Sequence, residues 1–397
     1  MIIGLLKEIK IDEFRVPLIP KDIKKIIKIG HDVIFEPNCG KMAGYLDIEY
    51  EIVGAQPQKR DYIFKNADII VKLKTPQDDE PEKFFEGQVL FSYLHYDGNE
   101  SLEGAEKIRK SGAIAIAFEW VEERGPEFPL LKPMSELTGI IAAIKTLEIF
   151  RKKQGRIAGC FSNNIEPAII MIIGLGTIGS NALNVFLHQG VRLIIVDKHP
   201  ESIAHRALKY VPEDIWSKYE SDIKIIKSDE DNVARTKQLL RKVLPNVDML
   251  FFSAVRRPTF KEAHLIDKEI LSIMKENSVL VDAGANDKDL VESSLSYPEI
   301  DKVYKVNRVW HYANDHIPTM AANDASRILS NAILPYLMKL LDEGPINAIL
   351  KNPALSKGTI IAGYHYTHEY TCKRKGVLYT SIKKALNNYL SIEKKAN

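Results

Sequence analysis

The chain has 397 residues, of which 45% are hydrophobic and 27% are charged. At about 150 residues per domain, this length predicts two or three domains, and the composition excludes wholesale disorder. The 55 lysine and arginine residues nearly balance the 53 acidic residues, which leaves a net charge of +2. Such a balance gives no overall field that would attract nucleic acid or a membrane surface, so we expect neither as a partner.

The apolar runs and the cysteines indicate the compartment. The apolar runs are short and strand-like, as in residues 168–173, whereas a membrane span needs about 20 residues. The first residues lack the basic segment and the cleavage site of a signal peptide. Cys39, Cys160 and Cys372 form an odd and dispersed set, which disfavours a disulfide framework and a cysteine-based zinc site. We therefore expect a cytoplasmic protein.

Two series of short β-branched segments alternate with amphipathic ones. The strands predicted in the first series are residues 1–9, 31–36, 68–74, 89–95 and 113–118. Those predicted in the second series are residues 168–174, 191–197, 223–228, 248–254 and 278–284. In the first series a helix is predicted over residues 20–30, from Pro20 to Gly30. This alternation implies mostly parallel sheets with helices on both faces.

Long helices are predicted on both sides of the second series. The apolar spacing of residues 137–147 indicates the first of them. Residues 322–341 form the second, in which Pro335 should kink the helix or shift its hydrogen bonds. The predicted fold is α/β, with two doubly wound domains of parallel sheet, linked by these helices, and a cleft between them. The predicted domains are residues 1–133 with 317–397, and residues 134–316.

The strongest local signal is a glycine-rich turn between a predicted strand and a predicted helix. In Gly174-Leu175-Gly176-Thr177-Ile178-Gly179, the first glycine permits a tight turn and the second admits a pyrophosphate close to the backbone. The third lets the helix pack closely on the strand. The N–H groups at the start of the helix, around Thr177 and Ile178, would bind phosphate oxygens. This pattern is typical of Rossmann-like domains.

An acidic residue completes the dinucleotide pattern. Asp197 lies 23 residues after Gly174, at the end of the next predicted strand. A carboxylate at this position accepts hydrogen bonds from the adenosine ribose hydroxyls and repels the 2′-phosphate of NADP. The predicted cofactor is therefore NAD.

Three residues of the first series lie at or just after the carboxyl ends of predicted strands, where α/β folds carry their chemistry. Arg15 follows the first strand, Lys74 ends the third and His95 ends the fourth. Arginine binds a carboxylate through two parallel hydrogen bonds, lysine polarises a carbonyl group, and histidine exchanges protons near neutral pH. Each of the three, taken singly, is more typical of a surface or structural role. Their joint placement predicts a site for a small 2-amino or 2-oxo acid.

A metal site is not predicted. His365 and His368 have a spacing that metal ligands use. No cysteine or acidic third ligand completes a pattern in the sequence around them. Both are expected to be surface histidines, and no metal cofactor is expected.

The order of these elements resembles the alanine dehydrogenase and transhydrogenase α-subunit family. The segments that carry the resemblance span nearly the whole chain: GLLKEI (4–9), EFRVPLIP (13–20), VKLKTP (71–76), FSYLH (91–95), LLKPMSE (130–136) and NPALSKG (352–358). The last segment is similar to the alanine dehydrogenase C-terminus. The transhydrogenase branch looks as if it lacks the Leu94-His95 element, so the resemblance is greater to alanine dehydrogenases.

The resemblance implies roles for individual residues. Arg15 and Lys74 would hold the substrate carboxylate and its oxo or imino group, Lys74 stabilising charge at the reacting carbon, and His95 would be the acid/base. The residues expected to bind NAD are Ser135, Gly174, Gly176, Thr177, Ile178, Gly179, Asp197 and Ser228, the last near the adenosine. The family also implies a two-domain subunit and a homo-oligomer, either a hexamer or a dimer.

Three segments depart from the family pattern. Residues 160–164 (CFSNN) replace a glycine-rich loop, and the motif that usually reads Asn-Met-Pro is here Asp315-His316-Ile317-Pro318, which is more similar to saccharopine dehydrogenases. The family's catalytic aspartate aligns with Asn286, next to Asp287. Either the loop shifts so that Asp287 is catalytic, or Asn286 occupies the site and hydrolytic deamination is crippled, or both are ordinary loop residues that cap the end of a strand. We take Asp287 as the catalytic candidate and Asn286 as a cofactor-binding one.

By this resemblance the chain is predicted to be an NAD-dependent oxidoreductase acting on a CH–NH2 group, with reversible oxidative deamination of L-alanine to pyruvate and ammonia as its reaction. One alternative is an opine- or saccharopine-type dehydrogenase, in which a second amino acid replaces ammonia. The space beside His95 and His316 would discriminate between these two. The other alternative is an NAD-binding module, similar to transhydrogenases, without turnover of its own.

Overall fold

The computed structural model describes residues 1–98, 101–125, 127–229, 232–254, 264–285 and 288–387. The chain forms two compact units, which we call unit 1 and unit 2. Unit 1 comprises Met1–Met134 with Ala321–Asn397, and unit 2 comprises Ser135–Met320. Within the described ranges, none of the helices has both the length and the apolar character that crossing a membrane requires.

The strands of the described residues follow the two predicted series and add five strands outside those series. In chain order they are β1 (Ile2–Leu5), β2 (Asp32–Phe35), β3 (Gln56–Pro57), β4 (Ile69–Val71), β5 (Val89–Ser92), β6 (Ile114–Ala117), β7 (Ile169–Ile173), β8 (Arg192–Asp197), β9 (Lys224–Lys227), β10 (Met249–Phe252), β11 (Val279–Asp282), β12 (Tyr304–Val306), β13 (Val309–Ala313), β14 (Thr359–Ala362) and β15 (His365–Tyr366).

The α-helices cover the segments between the strands. In chain order they are α1 (Pro20–Lys28), α2 (Asp47–Ile52), α3 (Arg60–Asn66), α4 (Glu103–Ser111), α5 (Lys132–Gln154), α6 (Thr177–Gln189), α7 (Ile203–Ala207), α8 (Glu213–Tyr219), α9 (Val233–Val243), α10 (Lys268–Ser272), α11 (Ala322–Glu343), α12 (Pro345–Lys351), α13 (Pro353–Gly358) and α14 (Glu369–Lys375). The two long predicted helices are α5 and α11, and α11 continues through Pro335.

Unit 1 is built on one sheet with the order β15-β14-β6-β5-β4-β1-β2-β3. Strands β1 to β6 run parallel to one another. Their spatial order, 3-2-1-4-5-6 along the chain, is that of doubly wound nucleotide-binding folds. The connections on the two sides of the β1–β4 pair run in opposite directions, so a crevice forms at the carboxyl ends of these strands.

Unit 2 repeats this arrangement. Its order is β12-β13-β11-β10-β7-β8-β9, and β7 to β11 with β13 form the parallel part. The reversal of strand order falls between β7 and β10. The prediction of two doubly wound α/β domains with mostly parallel sheets is therefore confirmed.

Both faces of the unit 2 sheet are covered, because successive side chains of a strand point to opposite faces. In β7, Ile170 and Ile172 enter one hydrophobic core, whereas Met171 and Ile173 enter the other. Each of these side chains is at most 2% exposed, and burial of such a side chain contributes about 1.5–3 kcal/mol. Burial on both faces explains why the strand sequence is continuously apolar rather than alternating.

The structure corrects two details of the predicted elements. The first strand ends at Leu5 rather than at residue 9, the third at Val71 and the fourth at Ser92, so Lys74 and His95 lie in loops beyond the strands. Strands β12, β14 and β15 pair antiparallel with their neighbours. The alternation of strands and helices did not predict these pairings, because that alternation is typical of parallel strands joined by crossover helices.

Candidate functional site

The glycine-rich turn joins β7 to α6 at the reversal of strand order in unit 2. Gly174 has a φ of +87°, which glycine adopts without strain, and a Cβ there would lie 2.8 Å from Cα of Ala254. A Cβ on Gly179 would lie 2.1 Å from the carbonyl oxygen of Gly174. The first glycine is thus required by the turn and the third by the contact between helix and strand, as the sequence predicted.

Gly176 differs from its two neighbours in the motif. No atom lies within 4 Å of the position that a Cβ on Gly176 would take. The space above the turn is therefore open at the residue that precedes the first helical position, Thr177. The unpaired N–H groups of the first turn of a 13-residue helix and its dipole favour an anion there. These observations fit a dinucleotide pyrophosphate.

Asp197 ends β8 and lies beside the glycine turn. Its Oδ2 accepts the N–H of Leu175 at 2.7 Å, and its Oδ1 accepts the N–H of His199 at 2.8 Å. Arg206 donates to both oxygens, through Nη2 to Oδ1 at 2.7 Å and through Nη1 to Oδ2 at 3.1 Å. Burial raises the pKa of Asp197, but these hydrogen bonds outweigh it and hold the pKa below its ordinary value. Arg206 was not identified from the sequence.

Two predicted serines lie near the edge of the unit 2 sheet where β7 and β8 end. Ser228 follows β9, and its N–H donates to the carbonyl of Asp197 at 2.9 Å. Ser135 lies one turn before Gly139 on α5, and residues four apart share a helix face. Gly139 packs against the backbone of Ile178: a Cβ on Gly139 would lie only 2.3 Å from the carbonyl oxygen of Ile178. Ser135 therefore lies on the face of α5 that meets the start of α6.

The residues that pack against the glycine turn were not identified from the sequence. Ser253 follows β10, the strand next to β7, and its hydroxyl donates to the carbonyl of Gly174 at 2.7 Å. Ala254 packs against Gly174 itself. The available signal was the pair of small residues directly after an apolar strand, where a large side chain would occupy the turn.

The candidate residues of unit 1 lie at one edge of its sheet. Arg15, Lys74 and His95 follow β1, β4 and β5, which are adjacent strands. The structure also joins their loops: Glu8 accepts the N–H of Lys74 at 3.1 Å, and the Ser92 hydroxyl donates to the carbonyl of Lys74 at 3.0 Å. The three predicted residues thus belong to one region.

Arg15 is buried, with 4% of its surface exposed. Its Nε and Nη2 donate to the two carboxylate oxygens of Glu13 at 2.8 and 2.6 Å, and its Nη1 lies 3.3 Å from Sδ of Met134. The loop is fixed to α11, since Ser326 accepts the N–H of Val16 at 2.9 Å. Glu13 thus occupies the fork of the guanidinium on the Nε side.

Lys74 is fixed by buried charges around its loop. Glu8 Oε1 also accepts the N–H of Leu73 at 2.6 Å, while Glu8 Oε2 pairs with the fully buried ammonium of Lys72 at 2.5 Å. Lys72 lies 3.5 Å from Glu80 as well, and burial raises the pKa of Glu80. Removing one member of such a buried set leaves an unpaired charge, which is strongly destabilising.

His95 has a φ of +50° and a side chain that is 46% exposed. The buried carboxylate of Glu119 accepts the N–H of His95 at 2.6 Å and that of Leu94 at 3.1 Å. Glu119 Oε1 also lies 3.9 Å from Nδ1 of His95. The imidazole stacks on Tyr93, with the ring centroids 5.8 Å apart. Burial raises the pKa of Glu119 to about 7.

The two C-terminal histidines differ from each other. His365 lies in β15, whereas His368 contacts the indole of Trp120 with ring centroids 4.4 Å apart. Burial lowers the pKa of His368 to about 4. The expectation of a surface histidine was therefore wrong for His368, because the start of α14 packs on the turn that contains Trp120.

Asn286 and Asp287 lie outside the described residues. The loop that leads to them begins at Asp282, whose Oδ2 accepts the hydroxyl of Ser294 at 2.6 Å and whose Oδ1 accepts the N–H of Gly284 at 3.2 Å. His316 is buried, with Nδ1 2.7 Å from Asp315 Oδ1.

A doubly wound unit with an open glycine turn and an acidic residue at the end of the second strand is typical of Rossmann-like α/β proteins. Comparison with known families gives the particular group. The family model "Alanine dehydrogenase/PNT, N-terminal domain" matches residues 4–138, and "Alanine dehydrogenase/PNT, C-terminal domain" matches residues 139–369. The chain belongs to the alanine dehydrogenase/PNT family, which confirms the resemblance seen in the sequence.

Individual relatives are similar to this chain over nearly their full length. The alanine dehydrogenase of Methanococcus maripaludis is 31% identical over 98% of this chain and 100% of its own length. That of Bacillus subtilis is 31% identical over 99% of each chain. Among solved structures, an L-alanine dehydrogenase matches with a TM-score of 0.81 and 27% identity over 95% of this chain and 99% of its own. A transhydrogenase from Sinorhizobium meliloti has a TM-score of 0.72 at 22% identity over 93% of this chain and 99% of its own, which bears on the fold alone.

Proposed function

We propose that the protein is an NAD-dependent oxidoreductase that converts L-alanine, water and NAD⁺ reversibly into pyruvate, ammonium, NADH and a proton. One observation carries the proposal. Arg15, Lys74 and His95 follow three adjacent strands of unit 1, and a buried carboxylate fixes each of them. The carboxylates are those of Glu13, Glu8 and Glu119, none of which is more than 8% exposed. A surface charge needs no such support, whereas a catalytic group must be held in place.

Unit 2 supplies the proposed cofactor site. The N–H groups around Gly176 and at the start of α6 would hold the pyrophosphate, and Asp197 would face the adenosine ribose. The other residues proposed to contact NAD are Ser135, Thr177, Ile178, Gly179, Ser228 and Asn286. NAD supplies the hydride acceptor when it is bound. The carboxylate of Asp197 favours NAD over NADP, by tenfold or more in kcat/KM, because it repels a 2′-phosphate.

The residues of unit 1 would bind and activate the substrate. Arg15 binds the carboxylate of alanine through two hydrogen bonds. Lys74 stabilises the charge that develops at the α-carbon and its nitrogen. His95 takes a proton from the substrate ammonium group before hydride leaves the α-carbon, and it assists the water that adds to the resulting imine. Asp287 is the proposed second group that orders this water.

The oxidation of NADH at 340 nm tests the proposal. Pyruvate with ammonium should support turnover, and omission of ammonium should stop it. Turnover with pyruvate only when a second amino acid replaces ammonium would show an opine- or saccharopine-type reaction instead. Binding of NADH without turnover on any combination of oxo acid and nitrogen donor would show a nucleotide-binding module.

The assignment of roles to the units is part of the same proposal. Unit 1 binds the amino or oxo acid, and unit 2 binds the dinucleotide. We also propose a homo-oligomer, a hexamer or a dimer, as the family resemblance implies. Light scattering of the purified chain measures the number of subunits.

A further inference from the structure

The carboxylate of Asp197 already has four donors. Oδ1 accepts from the His199 N–H and from Nη2 of Arg206, and Oδ2 accepts from the Leu175 N–H and from Nη1 of Arg206. A carboxylate offers about four lone-pair positions. An adenosine ribose that binds to Asp197 must therefore compete with one of these donors.

Arg206 is a bridging residue rather than a surface charge. Besides Asp197, it donates through Nη1 to the carbonyl of Leu175 at 2.8 Å and through Nη2 to the carbonyl of His199 at 3.0 Å. Leu175 is the residue between the first two glycines of the turn. The guanidinium thus connects the glycine turn, the carboxylate and the loop after β8. Its side chain is still 24% exposed, so one side of it reaches solvent.

The electrostatic consequence concerns the choice between NAD and NADP. A lone carboxylate at this position rejects a 2′-phosphate, whereas an arginine at this position accepts one. Here both groups are present and are paired with each other, so the charge of the carboxylate is largely compensated. Guanidinium and phosphate match in geometry and form bidentate hydrogen bonds.

We infer that Asp197 and Arg206 act as a pair in selecting the dinucleotide: Asp197 excludes the 2′-phosphate both by its charge and by holding Arg206, and Arg206 binds that phosphate once the carboxylate is removed. This inference rests on the proposal that unit 2 binds a nicotinamide dinucleotide. It makes Arg206 a specificity-determining residue. It also means that the wild-type preference for NAD is smaller than an unpaired aspartate would give.

Dissociation constants for NADH and NADPH, measured by fluorescence titration, test the pair without any substrate. The wild-type chain is titrated first, and failure to bind NADH would overturn the proposed function itself. If NADH binds, D197S should bind NADPH at least tenfold more tightly than the wild-type chain does. The double variant D197S/R206M should lose this gain.

Two further variants complete the test. R206M should raise the ratio of the NADPH to the NADH dissociation constant at least tenfold, since the carboxylate is then uncompensated. Arg192 lies at the opposite end of β8 with its side chain 58% exposed. The control variant D197S/R192M therefore removes an arginine that lies far from the turn, and it should keep the tighter NADPH binding of D197S.

Other results would overturn the inference. NADPH binding of D197S/R206M as tight as that of D197S would show that another cation binds the phosphate. A wild-type ratio in R206M would show that Arg206 does not act on selectivity. Should D197S fail to fold, D197N, which keeps the shape of the side chain, serves in its place with the same expected results.

Discussion

The carboxylate of Glu119 contacts both the backbone and the side chain of His95. Its Oε1 accepts the His95 N–H at 2.6 Å and stands 3.9 Å from Nδ1 of the same residue. The first contact fixes the loop in which His95 has a positive φ. The second places a buried titratable group next to the proposed acid/base. We propose that Glu119 acts through His95 as a positioning residue.

This contact predicts the pH dependence of catalysis. Above about pH 7 Glu119 is ionised, and a negative charge at this distance stabilises protonated His95. In E119Q the amide oxygen can still accept the backbone N–H, but the charge is absent. For pyruvate amination, in which His95 must carry a proton, we expect the alkaline limb of kcat/KM to move down by about one pH unit. Identical profiles of wild type and E119Q, measured from pH 6 to 10, would contradict this role.

The same carboxyl group predicts a pH dependence of stability. The pKa of Glu119 is about 7 in the folded chain against an ordinary value of 4.5, so the folded state binds the proton more tightly. The stability that this provides is fully present below about pH 4.5 and is lost as the pH rises through about 7. The difference in free energy of unfolding between wild type and E119Q should therefore decrease as the pH rises from about 4.5 to about 7. Urea titrations at several pH values would measure this difference. A constant difference would refute the prediction.

Replacement of His95 should abolish proton transfer while leaving the loop intact. Asparagine tolerates a positive φ better than alanine does, so H95N tests the chemistry with least strain. We expect kcat to fall by about 10²–10⁴ and the affinity for NADH to stay unchanged. H365N removes a histidine from β15 and serves as the control. Retention of more than a third of the wild-type kcat in H95N would exclude a role in proton transfer.

Arg15→Lys keeps the charge but loses the fork that serves Glu13 and the substrate. A lysine ammonium cannot satisfy both oxygens of Glu13 and also bind a carboxylate bidentately. The KM for pyruvate should rise about tenfold or more, with NADH affinity unchanged. Arg109 forms a similar fork with Glu106 on a half-buried part of α4, so R109K is a matched control. If the KM of R15K equals that of wild type, Arg15 is structural only.

Alanine at two positions of the glycine turn should affect different properties: stability in G179A and NADH affinity in G176A. In G179A the new methyl group would meet the carbonyl of Gly174 at 2.1 Å, and such overpacking costs about 1–3 kcal/mol. In G176A nothing lies within 4 Å, so stability should hardly change, but the methyl group would occupy the proposed pyrophosphate space. Thermal unfolding and NADH titration separate the two effects. A G176A chain with wild-type NADH affinity would place the nucleotide elsewhere.

The sequence alone determined the strand series, the glycine turn and the placement of Arg15, Lys74 and His95. These features depend on local information. Hydrophobic periodicity specifies strands and helices, and the glycine spacing reflects the geometry of a single turn. The carboxyl ends of adjacent parallel strands meet at one edge, so residues placed there could be grouped before any contact was known.

Only the tertiary structure decided which groups hold these residues. Glu119 is 24 residues from His95, and Glu8 is 66 residues from Lys74. Neither spacing follows a helical or strand repeat, because the contacts arise from the order of strands in the sheet. The pairing of Arg206 with Asp197 depends likewise on how the loop after β8 returns to the glycine turn. Side-chain contacts between distant segments depend on backbone packing over the whole unit, which no local pattern specifies.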